Sequence, residues 1–248
     1  MSKQGLSSEE GKSKRQRQID ARREKAKVRN RRKQTSTMIA VVIVAVLLVA
    51  ILIYPSLQPL DITFPPNTEY PMANENSMGD PDAPVQVVEY ANFTCSHCAN
   101  FSVESQSLII QDYIKTGKVY FTYQPFVSTQ DASGFRAAEA AFCASDQGKF
   151  WDMHDAIFYN FEYAVRSNGF SQRSLDMMAE HIGLDMNAFG ACMNAGTYKD
   201  TINNALTAGR QAGISVTPTF LVNGAAVVGD DPQSLIREIE SALASAGE

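Results

Sequence analysis

The chain has 248 residues, a formal net charge of −5 and 44% hydrophobic residues. That length holds one domain of ordinary size with appendages, and that composition is typical of a globular core, which excludes a chain disordered throughout. The net charge conceals an asymmetry, because residues 1–33 carry thirteen Lys/Arg against four Asp/Glu while the remainder is acidic.

The first segment, 1–36, is therefore a basic tail, which taken alone would suit RNA or anionic lipid. The apolar stretch next to it decides otherwise. Met38 to Tyr54 has no charge and no polar side chain before the terminal tyrosine, and Thr35-Ser36-Thr37 extends it toward the length a bilayer needs. A buried core helix would show some polar face, so 37–54 is expected to be a single transmembrane helix, with no nucleic-acid role for the tail. The basic segment exceeds a signal-peptide n-region and no small-x-small cleavage pattern follows Ile53, which points to an uncleaved signal-anchor. Positive residues stay cytoplasmic, so the acidic remainder is expected outside the cell membrane, where disulfides persist. Residues 55–77, with Pro55, Pro59, Pro65, Pro66 and Pro71, read as an extended tether. The folded domain is expected over 78–248.

Within it, Val85 to Phe93 is a mostly apolar run in which period-2 alternation puts Glu89 on the face of Val85 and Val87. Burial there would raise the carboxyl pKa, which suits a group that exchanges protons with a nearby sulfur. Cys95-Ser96-His97-Cys98 comes next and precedes a helix. A cysteine at a helix N-terminus faces unpaired N–H groups and the positive end of the dipole, both of which favour thiolate. The same spacing makes half a zinc site, with His97 as a third ligand, but three ligands so close in sequence give poor tetrahedral geometry. Asn92-Phe93-Thr94 fits a glycosylation sequon and is read as coincidence beside the cysteines. Gly117 ends the helix, and Val119 to Tyr123 supplies a second strand that Pro125 closes.

From about 131 to 213 the pattern is helical. Ala137, Ala138, Ala140, Ala141 and Phe142 form one helix; Phe150, Met153, His154, Ile157 and Phe158 recur at helical spacing on another, which makes His154 a core or boundary residue rather than a catalytic one. His181 falls at a helix C-terminus, and Asp185 caps the helix carrying Phe189 and Cys192. Then Val216-Thr217-Pro218-Thr219 leads into the strand Thr219 to Val222, with the proline at its head. Proline is tolerated there, and a cis bond would leave the Thr217 backbone facing a ligand. Asn223-Gly224 makes a hairpin with Ala225 to Val228, and Asp231-Pro232 opens a last helix with Leu235, Ile236, Ile239 and Leu243 on one face. No phosphate-binding glycine loop, hydrolase elbow or acid pair stands out.

Several of these stretches carry a resemblance. Gly79-Asp80-Pro81-Asp82-Ala83-Pro84-Val85, the Cys95 to Cys98 motif, Gln147-Gly148-Lys149-Phe150-Trp151-Asp152-Met153-His154-Asp155, Gly183-Leu184-Asp185 and Thr217-Pro218-Thr219-Phe220 resemble, in order, the DsbA-like thiol:disulfide oxidoreductases. The resemblance runs through roughly 78–246. It implies an α/β chain with a thioredoxin fold and an inserted α-helical subdomain, Cys95 as attacking thiol, Cys98 as resolving thiol, Glu89 as the buried acid and Pro218 as a cis-proline beside the site. Ser96 departs from the proline that many members place there. No cofactor and no metal are implied.

In an oxidising compartment the two remaining cysteines, Cys143 and Cys192, are expected to pair with each other. If the helix terminus and His97 depress Cys95, the reduced form is stabilised and the Cys95–Cys98 disulfide is a strong oxidant, donated to secreted proteins with free thiols. The resemblance implies a membrane reoxidase of the DsbB or vitamin-K-epoxide-reductase type as partner. Two alternatives use the same residues: a reductase or isomerase, or a module that binds metal at Cys95, His97 and Cys98 or a peptide beside Pro218.

Overall fold

In a computed structural model of the chain, residues 4–57, 60–66 and 68–247 are described. They divide into two units, one ending at Pro59 and one beginning at Leu60. The first unit is the helix α1 (Gln4–Leu57), 54 residues that join the basic tail and the apolar run without a break. By length and composition α1 holds a stretch that can cross a membrane. Residues 1–3 of the expected tail, residues 58, 59 and 67 of the expected tether and residue 248 of the expected domain lie outside the described residues.

The second unit is built on a five-stranded sheet of β1 (Ser77–Met78), β2 (Val85–Ala91), β3 (Val119–Pro125), β4 (Thr219–Val222) and β5 (Ala225–Val228), in the order β1-β3-β2-β4-β5. β2 lies at the centre, parallel to β3 and antiparallel to β4. A parallel pair needs a crossover, and here it is α2 (Ser96–Asn100) and α3 (Gln106–Ile109). Each is followed by one π-helical turn, at Phe101–Ser105 and Ile110–Ile114. The sequence promised a regular helix there; wider turns of this kind leave no trace in apolar spacing and are frequent at functional sites. The expected hairpin is present, with Asn223 and Gly224 both at positive φ, as a two-residue turn between right-twisted strands requires.

Between β3 and β4 lie α4 (Ala132–Ser145), α5 (Phe150–Tyr159), α6 (Phe161–Arg166), α7 (Gln172–His181), α8 (Met186–Ala195) and α9 (Lys199–Gln211), and α10 (Pro232–Ala246) ends the chain. This is a thioredoxin fold divided by a helical insertion. Asp185 and Asp231 cap α8 and α10 as expected, and Asp131 caps α4 in the same way, each accepting from N–H groups in the first turn. Buried Ala137, Ala140 and Ala141 let α4 sit close to its neighbours, and Cys143 of α4 is joined to Cys192 of α8, with Cα atoms 5.8 Å apart. Trp151 fixes α5 to the sheet, its Nε1 donating to the Ser77 carbonyl at 3.1 Å.

The expected tether needs correction. Thr63, Phe64 and Tyr70 of this segment rest on the helical insertion. Asn160 reads its backbone in both directions, accepting from the Thr63 N–H at 2.8 Å and donating to the Thr63 carbonyl at 2.6 Å. Phe64 stacks on His181 with centroids 3.4 Å apart, and the Tyr70 hydroxyl donates to Asp155 at 2.7 Å. Proline does predict an extended backbone, but an extended strap still docks when side chains elsewhere satisfy its N–H and C=O groups. The domain thus begins well before Met78, and Ser77–Met78 adds the edge strand β1.

Candidate active site

β2 ends at Ala91, and a tight turn delivers Cys95 to the N-terminus of α2. Asn92 makes that turn with its side chain, accepting from the Thr94 N–H at 3.2 Å, while its amide and the Thr94 hydroxyl both donate to Asp131 at the start of α4. The sequon-like Asn92-Phe93-Thr94 is thus a clamp between the cysteine loop and the insertion, a use that its sequence does not announce.

Cys95 is the N-cap of α2, extended at φ −92° and ψ 123°, and its Sγ accepts from the Cys98 N–H at 3.4 Å. As a thiol, it also donates to the Thr217 carbonyl at 3.3 Å. The Thr217–Pro218 bond is cis, which brings that carbonyl to the sulfur. Cys95 is half-buried; Cys98 is fully buried. This difference separates the two thiols chemically. Hydrogen bonds from the Cys98 side chain, the Thr217 side chain and the N–H groups of Cys98 and His97 lower Cys95 to about 5, against a desolvation that works the other way. Burial pushes Cys98 far up, as does its hydrogen bond to Cys95. One sulfur is an anion at neutral pH and its neighbour a protonated thiol.

Glu89 lies beneath them on the central strand, opposite Tyr123 on β3 and Phe220 on β4. It is 1% exposed, and neither carboxyl oxygen has a hydrogen-bond partner among the described residues. Burial, then the charge on Cys95, raises it to about 8. A buried acid with that value is neutral at pH 7 and able to hold or release a proton near the sulfurs.

The structure thus brings Cys95, Cys98, Glu89, Thr217 and Pro218 together. His97 departs from expectation. Its side chain is 65% exposed and its ring pairs with Asp230, so what it gives Cys95 is its backbone N–H and not its imidazole. Asp230 was invisible to a local reading, since it lies 133 residues away and next to Asp231-Pro232, which reads as a helix cap. Cys143 and Cys192 are in the helical insertion, and His154 is fully buried among Phe93, Tyr123, Phe150, Trp151 and Phe158. Among the described residues, no cluster of three or more His, Cys, Asp or Glu side chains is arranged to hold a metal.

The chain is similar to known proteins in both sequence and fold. Residues 72–241 match the family model described as thioredoxin. A probable disulfide bond formation protein D of Bacillus anthracis is 26% identical over 180 residues, 71% of this chain and 82% of that one. A sodium/proton antiporter of Salinispora tropica is 32% identical over 171 residues, but these are only 24% of its length. Among solved structures, alpha-DsbA1 of Wolbachia pipientis aligns with a TM-score of 0.63 at 26% identity, covering 71% of this chain and 94% of that one.

Proposed function

We propose, for a chain that belongs to the thioredoxin family and is a thiol:disulfide oxidoreductase of DsbA type, that it works as an oxidase anchored outside the cytoplasmic membrane. Its substrates are secreted or membrane proteins with free thiols. In the oxidised enzyme a substrate thiolate attacks Cys95 Sγ, the Cys95–Cys98 bond breaks, and Cys98 leaves with the electron pair and takes up a proton. Glu89 is the group we assign to supply that proton. The substrate's second thiolate then attacks its own sulfur in the mixed disulfide, and Cys95 departs as thiolate. Two electrons pass from the substrate dithiol to the enzyme, whose disulfide a membrane reoxidase of DsbB or vitamin-K-epoxide-reductase type restores.

The observation that carries this reading is the split between the two sulfurs. A Cys95 thiolate at about 5 is a good leaving group and stabilises the reduced enzyme, which makes the disulfide oxidising. Catalysed oxidation of a dithiol peptide, set against insulin reduction and against Cys95→Ser, tests it. Faster peptide oxidation that is lost in the variant is expected. Insulin reduction as the dominant activity would reverse the direction and replace the oxidase by a reductase or isomerase.

A further inference from the structure

The two walls of the site, the cysteine helix and the proline loop, are joined by three consecutive residues that connect β5 to α10. Gly229 donates its N–H to the Pro218 carbonyl at 2.9 Å, with φ of 97°, a conformation that favours glycine. Asp230 then places one oxygen, Oδ2, 3.2 Å from both His97 Nδ1 and Asn100 Nδ2. Asp231 caps α10. Asp230 is the member of this clasp that reaches the cysteine helix. Its carboxyl is held below the usual range, slight burial being outweighed by the hydrogen bonds from His97 and Asn100.

A protonated imidazole in the turn that carries the nucleophile would favour its anion through charge. Paired with a carboxylate, that charge is neutralised. We propose that Asp230 is a positioning residue that binds the His97 imidazole, withholds its positive charge from the Cys95 sulfur, and so moderates the oxidising strength of the Cys95–Cys98 disulfide. The inference rests on the redox reading of that pair but not on its direction. Removing the carboxylate charge frees the imidazolium, stabilises the thiolate and hence the reduced form, and strengthens the oxidant.

The test uses the full chain equilibrated in glutathione buffers, with the reduced fraction read by alkylation and mass analysis. Asp230→Asn keeps the shape of the side chain and is expected to shift the equilibrium toward the reduced form roughly threefold, the scale of a partly exposed ion pair. His97→Ala, which leaves the Asp230 carboxylate unpaired, is expected to shift the parent toward the oxidised form and to cancel the gain in the Asp230→Asn background; Asp230→Glu is expected to restore the parent equilibrium. For Asp230→Asn, a shift under about 1.5-fold, a shift toward the oxidised form, or a gain that survives the further change His97→Ala would overturn the proposal. A merely structural role lowers the melting temperatures of both redox forms together and leaves the equilibrium in place, which overturns it as well. Reversed flow in the peptide assay would remove the oxidase reading and leave this coupling measurable.

Discussion

At the scale of single residues, Cys95 and Glu89 carry pKa values shifted in opposite directions, and the two shifts act oppositely on stability. Cys95 falls to about 5 in the folded, reduced protein from an unfolded value near ~8.5. A depressed group stabilises the fold above its unfolded pKa, and that contribution is lost as pH falls toward 5. Glu89 rises to about 8 from an unfolded value near ~4.3, so its contribution is present below that value and is lost as pH climbs to 8. Between pH 5 and 8 the two slopes cancel. The reduced protein is therefore expected to show nearly flat stability across this window in urea unfolding. Glu89→Gln should unmask a rise with pH of at most about 1.4 kcal/mol per unit, and Cys95→Ser a fall of the same order. A flat profile in either variant would mean that the shift it should unmask is absent. Thiolate absorbance near 240 nm gives a direct check: a midpoint near 5 is expected, and one near ~8.5, the value of a free cysteine, would leave the nucleophile without activation.

At the scale of elements, legibility tracked distance along the chain. β2, the N-cap position of Cys95, the Asn223-Gly224 hairpin and the Asp231-Pro232 helix start all announce themselves within a few residues, through alternation, capping and turn chemistry. The orientation of His97 and the docking of the strap do not, because Asp230 is 133 residues from one and Asn160 is 97 residues from Thr63 of the other. Pro65 and Pro66 specify local extension and say nothing of where an extended segment rests. The strap also makes a prediction. Asn160 is 2% exposed and satisfies both backbone groups of Thr63, so Asn160→Ala leaves them without it and is expected to cost about 1–3 kcal/mol. Protease sensitivity should appear first within 60–71. Unchanged stability and unchanged cleavage would mean that the strap contributes nothing to the fold. The Cys143–Cys192 bond closes a loop of 49 residues, worth about 4 kcal/mol in the chain-entropy account, and Cys143→Ala with Cys192→Ala should lower the melting temperature while Cys95–Cys98 chemistry continues.

For the whole molecule, the partition of charge and apolarity argues for one arrangement. A disulfide oxidant is useful only where substrate thiols are being oxidised and something can take its electrons, which for a membrane reoxidase means the outer face of the lipid bilayer. The chain supplies the means: Met38 to Tyr54 within α1 is apolar throughout, and the Lys/Arg of the tail stand on one side of it. Basic flanks are retained in the cytoplasm, so the Cys95 domain should be exported. Placing a positive charge in the middle of the apolar stretch, as in Val46→Arg, costs roughly 2.5–3.5 kcal/mol of insertion free energy. Resistance to alkaline carbonate extraction, expected of the parent chain, should weaken in that variant. Topology is read separately: in intact cells a membrane-impermeant maleimide is expected to label reduced Cys95 in the parent without lysis. Labelling that requires lysis would put the cysteines on the cytoplasmic side, where the glutathione pool keeps thiols reduced and an oxidase would have its electrons flowing backwards.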